Sequence, residues 1–320
     1  MTKILVTTTS FQDTPGEHHA MLESQGFDIT CERGPLPESR MLELVGGYEG
    51  ILCGDDAFTR KVLEKCRPTL RVLSKYGIGV DKIDLQAATD YRIPVTYCPG
   101  VNHTTVAEHT FGLILASYRQ IPQQNAMVHQ GQWKRMTGHG SMGQTLGILG
   151  LGRIGKEVAK RASAFGMRLI AFDPYWDDLF ASQHSIEQKK SIDEVLLEAD
   201  IVALHMNLTS ENREFLNAAR ISRMKKGALV VNTSRGALVD QKAVAEAVKS
   251  GQLSGYVSDV VEPEPISPDC PFLGVEGIIL TPHIGSRTYE SVVRQATMAV
   301  ENLVRVLKGE QPLAQANVFK

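Results

Sequence analysis

The chain has 320 residues, a hydrophobic fraction of 42% and a formal net charge of −2 at pH 7. This length accommodates two domains with sizeable cores. The near-neutral charge provides no broad basic field, so neither nucleic acid nor a membrane surface is an expected partner. The five cysteines are scattered and form no C-x-x-C pair, so neither a disulfide framework nor a metal site is expected.

The N-terminus runs directly into a strand-like segment. It shows no signal-peptide pattern, and no apolar run is long enough to span a bilayer. The expected location is therefore cytoplasmic.

Strands and helices alternate along most of the chain. Strands are predicted at 3–9, 27–31, 50–53, 71–74, 93–97, 146–149, 167–172, 200–205, 227–232, 253–258 and 278–281. Helices are predicted at 16–25, 38–45, from 59 onward, and at 104–120, 154–165, 191–198, 217–223, 240–250 and 288–308. Residues 122–143 are predicted to be a polar segment ending in a loop. This alternation predicts an α/β protein with two doubly wound parallel-sheet domains.

Three glycines follow the apolar run 146–149 in the spacing G-x-G-x-x-G: Gly150, Gly152 and Gly155. In a strand–turn–helix unit the first permits a sharp turn, and the second lets the backbone approach a pyrophosphate. The third lets the helix pack closely on the strand. The helix N-terminus adds N–H groups and a partial positive charge. The spacing therefore predicts a dinucleotide-binding site.

Asp173 ends the next predicted strand, at the distance expected for a ribose ligand. Its carboxylate can accept both adenosine-ribose hydroxyls and would repel a 2′-phosphate. The following Pro174, Tyr175 and Trp176 supply no arginine for such a phosphate. NAD rather than NADP is the predicted cofactor.

This cofactor unit begins in the middle of the chain, and the last helix has no nearby strand to cover. We therefore predict a Rossmann NAD-binding domain at 102–286. It is inserted into a flavodoxin-like substrate domain made of 1–101 plus 287–320.

Three later strands end in polar residues: Arg235, Glu264 and His283. The carboxyl ends of parallel strands face the ligand crevice, so these side chains are expected to converge. An arginine can bind a carboxylate and polarise a carbonyl. A histidine can exchange the hydroxyl proton, and a glutamate can orient it and stabilise its protonated form. Seven further histidines are predicted to be structural: His18, His19, His103, His109, His129, His139 and His184.

These segments resemble the D-isomer-specific 2-hydroxyacid dehydrogenase family, most of all its phosphoglycerate dehydrogenase-like branch without a regulatory domain. The motifs concerned are 147–155 with Asp173, 232–236, 259–265, 281–286 and 76–81. The resemblance implies an NAD-dependent oxidoreductase that interconverts a small 2-hydroxy acid and its 2-oxo acid by hydride transfer. It assigns Arg235 as the carboxylate anchor, His283 as the proton donor and Glu264, rather than Glu262, as its partner.

The resemblance also implies further ligands. The cofactor would contact Gly150, Gly152, Arg153, Ile154, Gly155, Asp173, Met206, Thr233, Ser234, Asp259 and Gly285. The substrate would contact the loop Tyr76, Gly77, Ile78 and Gly79, and the backbone N–H groups of Gly77 to Gly79 would bind its carboxylate. Asp55 is a further candidate substrate contact, although the family pattern does not imply it. A homodimer built through residues 104–140 is implied as well.

The chain departs from the family pattern in two places. Phosphoglycerate-type members tend to carry arginine after the strand at 50–53, where this chain has Asp55 and Asp56. Two carboxylates would repel a phosphate and would suit a hydroxyl-rich or cationic substrate end better. The alternative is that they simply cap a turn. The family's His-x-Pro is here His205-Met206-Asn207, and loss of the proline would loosen the adenine-side loop.

Two alternatives to a dehydrogenase of small, unphosphorylated acids remain open. One is a true D-3-phosphoglycerate dehydrogenase of serine biosynthesis. The other is a non-catalytic, NAD-sensing, corepressor-like binding protein, a class expected to lack the acid–base pair.

Overall fold

The computed structural model describes residues 1–319 and contains two compact units. The first comprises Met1–Asn102 and the segment from Arg287 onward, and the second comprises His103–Ser286. The chain therefore enters the second unit once and leaves it once.

The strands, numbered in chain order, are β1 (Lys3–Val6), β2 (Asp28–Cys31), β3 (Gly50–Cys53), β4 (Val72–Lys75), β5 (Val95–Thr96), β6 (Thr145–Leu149), β7 (Arg168–Phe172), β8 (Ile186–Gln188), β9 (Ile201–Leu204), β10 (Ala228–Asn232), β11 (Leu253–Ser258) and β12 (Ile278–Leu280). The helices are α1 (Thr9–Asp13), α2 (Glu17–Glu23), α3 (Glu38–Leu44), α4 (Arg60–Lys65), α5 (Leu85–Asp90), α6 (His103–Tyr118), α7 (Ile121–His129), α8 (Arg153–Ala164), α9 (Asp178–Gln183), α10 (Ile192–Glu198), α11 (Ala218–Ile221), α12 (Gln241–Lys249) and α13 (Tyr289–Leu307). A 3₁₀ turn spans Gly236–Leu238.

The first unit is built on a five-stranded sheet in the order β2-β1-β3-β4-β5, with all pairs parallel. This is the flavodoxin-like strand order. The long helix α13 packs on this sheet, where Val300 and Leu303 join a cluster with Ile4 and Leu52. Each of these side chains is fully buried, which is worth about 1.5–3 kcal/mol per residue.

The second unit is built on a seven-stranded parallel sheet in the order β12-β11-β10-β9-β6-β7-β8. Its strand order reverses between β6 and β9, as in a Rossmann fold, and ligands bind at such switch points. Successive residues of the central strands enter opposite cores: Leu149 and Val202 join one cluster, and Ile148 and Ile201 join the other. Burial on both faces explains the continuous apolar runs. The predicted fold class is confirmed.

Two local predictions are wrong. Residues 121–129 form the helix α7, whereas the sequence predicted only a polar segment ending in a loop for this region. This helix buries none of its side chains, so its sequence lacks the apolar periodicity that identifies a helix. The first strand ends at Val6, and α1 begins at Thr9, because the β-branched Thr7 and Thr8 imitate a longer strand.

Within residues 1–319 no helix is long and apolar enough to cross a membrane. All five cysteines are unpaired. Both units are therefore held together by packing and hydrogen bonds, without disulfides.

Candidate active site

The glycine turn connects β6 to α8 in the second unit. Gly150 has φ of +97°, and a Cβ there would lie 2.6 Å from the carbonyl oxygen of His205. A Cβ on Gly155 would overlap the carbonyl oxygen of Gly150. By contrast, a Cβ on Gly152 would meet no other part of the described chain within 4 Å. Packing within the protein therefore requires Gly150 and Gly155, whereas Gly152 borders open space.

The N-terminus of α8 lies at the same place. Gly152 is its N-cap residue, Arg153 and Ile154 are its first two residues, and no side chain caps it. A helix of 12 residues carries partial positive charge and unsatisfied N–H groups at this end. Open space next to an uncapped helix N-terminus suits a pyrophosphate.

Asp173 follows β7 beside the glycine turn. Its Oδ2 accepts the N–H of Leu151 at 2.6 Å, and its Oδ1 accepts the N–H of Tyr175 at 2.7 Å. These bonds fix the orientation of the carboxylate. Each oxygen retains a second lone pair, so the group can still accept the two hydroxyls of a ribose.

His205 follows β9, next to Gly150. Both of its ring nitrogens are buried without a hydrogen-bond partner among residues 1–319, although the residue as a whole is partly exposed. Burial lowers the pKa of His205 from 6.5 to about 4. An unpartnered buried polar group is costly unless something satisfies it, so this imidazole also fits a ligand at the turn.

The segment after His205 is anchored despite its missing proline. The hydroxyl of Ser234 donates to the carbonyl oxygen of Met206. This bond joins the segment that follows β9 to the segment that follows β10. The two predicted cofactor contacts therefore lie next to each other.

His283 and Glu264 form a hydrogen-bonded pair at the ends of β12 and β11. His283 Nδ1 lies 2.7 Å from Glu264 Oε2, and the two side chains are 36% and 25% exposed. His283 has φ of +53°, and its N–H donates to the carbonyl oxygen of Asp259 at 2.9 Å. The pair is thus both held in position and accessible to a small molecule.

The neighbouring glutamate has a different partner. Glu262 Oε1 accepts from Arg213 Nη2 at 3.2 Å. Of the two glutamates in the segment 259–265, Glu264 is therefore the one that pairs with the histidine.

Arg235 follows β10 on a backbone that is fixed by Asn232. The fully buried Asn232 accepts the N–H of Ser234 at 3.0 Å and donates to the carbonyl oxygen of Arg235 at 2.9 Å. Arg235 Nη1 donates to the carbonyl oxygen of Ser234 at 2.8 Å. Arg235 as a whole is partly exposed, and it lies on the same sheet edge as His283.

Asp259 organises the segment that leads to His283. Its carboxylate accepts from Thr281 Oγ1 at 2.6 Å and from the N–H groups of Ile284 and Gly285 at 2.9 and 2.7 Å. Burial raises its pKa, but the hydrogen bonds from His109, Thr281 and Ile284 outweigh burial and hold the pKa below its usual range. Its oxygens are thus directed at donors of the protein itself.

Sequence reasoning missed two contributors to this site. His109 Nε2 lies 2.9 Å from Thr281 Oγ1 and 3.3 Å from Asp259 Oδ1. The hydroxyl of Thr110 lies 2.8 Å from that of Thr233. Both missed residues lie on α6, and neither follows a strand, where the polar residues of the site were expected. Their sequence signal was weak, because α6 carries other polar residues as well, among them Thr104, Thr105 and Glu108.

The predicted substrate residues all belong to the first unit. Tyr76–Gly79 follows β4, with Tyr76 buried, Gly77 at φ of +120° and the other residues partly exposed. The hydroxyl of Tyr76 accepts from Gln295 Nε2 at 3.4 Å. Asp55 follows β3 and pairs with Lys75, the last residue of β4, at 2.8 Å.

A dinucleotide cradle and a histidine–carboxylate pair on one Rossmann-type sheet define a nicotinamide-dependent dehydrogenase. The sequence profile of the D-isomer specific 2-hydroxyacid dehydrogenase family, NAD binding domain, matches residues 111–285. The chain belongs to this family.

Individual relatives agree with the family match. Glyoxylate reductase from Korarchaeum cryptofilum is 41% identical over 293 residues, which cover 89% of this chain and 88% of that protein. D-3-phosphoglycerate dehydrogenase from Methanocaldococcus jannaschii is 38% identical over 312 residues, 97% of this chain. The match spans 58% of the length of that relative.

Among solved structures, TT0316 protein from Thermus thermophilus superposes with a TM-score of 0.88 at 38% identity. The match covers 98% of this chain and 99% of that one. Taken with the family profile, it confirms the predicted family, fold class, enzyme class and NAD cofactor.

Proposed function

We propose that the chain catalyses the reversible, NAD-linked interconversion of a small 2-hydroxy acid and its 2-oxo acid. The observation that carries this proposal is the 2.7 Å contact between His283 Nδ1 and Glu264 Oε2. It lies on the sheet that also carries the glycine turn. The names of the relatives, which include glyoxylate reductase and D-3-phosphoglycerate dehydrogenase, support this reaction class.

The cofactor would be held by the glycine turn, the start of α8, Asp173 and the segments at Met206 and Thr233–Ser234. When bound, NAD supplies the hydride acceptor or donor. The open space at Gly152 and the unpartnered imidazole of His205 support this assignment.

His283 would exchange the proton of the substrate hydroxyl. Because Nδ1 is bonded to Glu264, we assign the exchange with the substrate to Nε2. A carboxylate beside an imidazole stabilises its protonated form. Glu264 would therefore favour the acid that protonates the carbonyl oxygen during reduction, and it would hold the ring in one orientation.

Arg235 would bind the substrate carboxylate and polarise the reacting carbonyl. A planar guanidinium can make two parallel hydrogen bonds to a carboxylate. The bonds of its backbone to Asn232 support a fixed position. The N–H groups of Gly77–Gly79 would bind the same carboxylate, and Asp259 would act as a positioning residue through its bonds to Ile284 and Gly285.

We further propose a homodimer that forms through residues 104–140. Ile121, Val128 and Trp133 are 54%, 50% and 84% exposed, and exposed apolar side chains grouped in one region mark interaction surfaces. Sedimentation equilibrium should give twice the chain mass. A Trp133→Asp variant should weaken the association, and a monomeric wild type would contradict the proposal.

A true D-3-phosphoglycerate dehydrogenase is the second candidate, favoured by the 38% identity to the M. jannaschii enzyme over 97% of this chain. A corepressor-like binding protein is disfavoured by the assembled Glu264–His283 pair. The test is a panel of 2-oxo and 2-hydroxy acids, with and without phosphate, assayed through nicotinamide absorbance. Turnover of small unphosphorylated acids supports the proposal. Turnover of 3-phosphoglycerate alone would favour the second candidate, and no turnover of any acid would favour a binding protein.

A further inference from the structure

The first unit contains a buried cation next to the predicted substrate loop. The Lys75 side chain is 5% exposed, and its Nζ donates to the carbonyl oxygen of Gly54 and to Asp55 Oδ1, both at 2.8 Å. A Cβ built on Gly77 would lie 3.8 Å from this nitrogen. The ammonium group of Lys75 therefore lies next to Gly77, the first glycine of the predicted substrate loop.

The two acids that follow β3 do different things. Asp56 is fully buried and accepts hydrogen bonds from the Thr7 hydroxyl and from the N–H groups of Leu36 and Gly54. The Asp56 carboxylate thus accepts hydrogen bonds from the protein itself, as expected for an acid that caps a turn. Asp55, by contrast, is 41% exposed and pairs with Lys75. Only Asp55 can meet a substrate.

The two charged groups of the Asp55–Lys75 pair therefore differ in their exposure to solvent. The positive charge of Lys75 is buried, and the negative charge of Asp55 is partly exposed. An anionic group that approached this pair would therefore meet the partly exposed Asp55 carboxylate rather than the buried Lys75 ammonium. Like charges brought together at a binding surface discriminate strongly against a ligand.

We propose that the Asp55–Lys75 ion pair selects substrates by the charge of their tail. It admits 2-oxo acids whose carboxylate is their only charge, and it excludes those that carry a second anionic group. This inference rests on the proposed function. It also rests on the prediction that Gly77–Gly79 bind the substrate carboxylate.

The test compares hydroxypyruvate with 3-phosphohydroxypyruvate, which differ by one phosphate, using NADH and the full chain. Asp55→Asn removes the exposed charge with little change of shape. Asp28→Asn is the matched control, since it removes an equal charge from an exposed residue at the start of β2, the opposite end of the same sheet. Asp55→Ser replaces Asp55→Asn if that variant does not fold.

The wild type should prefer hydroxypyruvate in kcat/KM. Asp55→Asn should reduce this preference by about tenfold or more, mainly through a lower KM for the phosphate ester. Asp28→Asn should leave the preference unchanged. A preference in Asp55→Asn within about twofold of the wild type would overturn the inference while leaving the proposed function intact. A wild type that prefers the ester, or that reduces neither acid, would also overturn the inference. The proposed function would fall only if the wider panel of 2-oxo and 2-hydroxy acids shows no turnover either.

Discussion

The glycine turn offers a matched pair of substitutions that separates packing from cofactor binding. In Gly155→Ala the new Cβ would overlap the carbonyl oxygen of Gly150 and lie 3.2 Å from its carbonyl carbon and 3.3 Å from Ile148 Cγ2. Backbone atoms cannot rotate away, so α8 must shift from β6. In Gly152→Ala the Cβ enters open space, and its φ of −72° is ordinary for alanine.

The expected magnitudes differ accordingly. Overpacking of this kind costs about 1–3 kcal/mol, which for a unit of this size lowers Tm by about 3–10 °C. Gly152→Ala should change the free energy of unfolding by less than about 0.5 kcal/mol. Its methyl group, however, would occupy the space assigned to the pyrophosphate. It should therefore raise the Kd for NADH by about tenfold or more, or at least about 1.4 kcal/mol.

The assays are thermal unfolding without ligand and fluorescence titration with NADH. Gly155→Ala should lose both stability and affinity, whereas Gly152→Ala should lose affinity alone. Wild-type affinity in Gly152→Ala would refute the assignment of the open space to the cofactor. Wild-type Tm in Gly155→Ala would refute the packing argument.

Three further predictions concern single side chains. Glu264→Gln should lower kcat for 2-oxo acid reduction by about 10–100-fold, because a bond to a charged group worth about 1.5–3 kcal/mol is lost; a wild-type kcat in this variant would contradict its role in stabilising the protonated imidazole. Arg235→Lys should lower kcat/KM by about 100-fold, since lysine cannot form the bidentate contact, and unchanged kinetics would exclude Arg235 as the anchor. The depressed pKa of His205, about 4 against 6.5, means that the unfolded chain binds more protons between these values. The free energy of unfolding should therefore fall by up to about 3 kcal/mol as pH decreases from 6.5 to 4. Denaturant titrations should show less of this loss in His205→Gln, and identical slopes would refute the argument.

Much of the fold was predictable because its signals are local. The spacing of Gly150, Gly152 and Gly155 identifies a strand–turn–helix unit, and the apolar runs identify strands that are buried on both faces. Arg235, Glu264 and His283 were predictable as a group because parallel strands bring their carboxyl ends to one edge. Helix α7 was not predictable in this way. It buries no side chain, so its sequence lacks the apolar periodicity that indicates a helix.

The parts of the site that the sequence did not reveal depend on contacts between distant residues. His109 was predicted to be structural, yet it contacts Thr281, 172 positions later. Lys75 lies at the end of a buried strand, where nothing in the sequence shows that Asp55 neutralises it. Asp55 and Asp56 are adjacent and identical in type, so only the fold distinguishes the buried turn-capping acid from the exposed one. Such pairings are specified by tertiary structure, which single-sequence patterns do not encode.

The central claim is that His283 exchanges the substrate proton in an NAD-linked reaction. It is tested most directly by measuring turnover and cofactor binding together in His283→Gln. Turnover of every 2-oxo acid that the wild type reduces should fall by about 1,000-fold or more, while the Kd for NADH stays within about twofold of the wild-type value. Wild-type kcat in this variant would contradict the account.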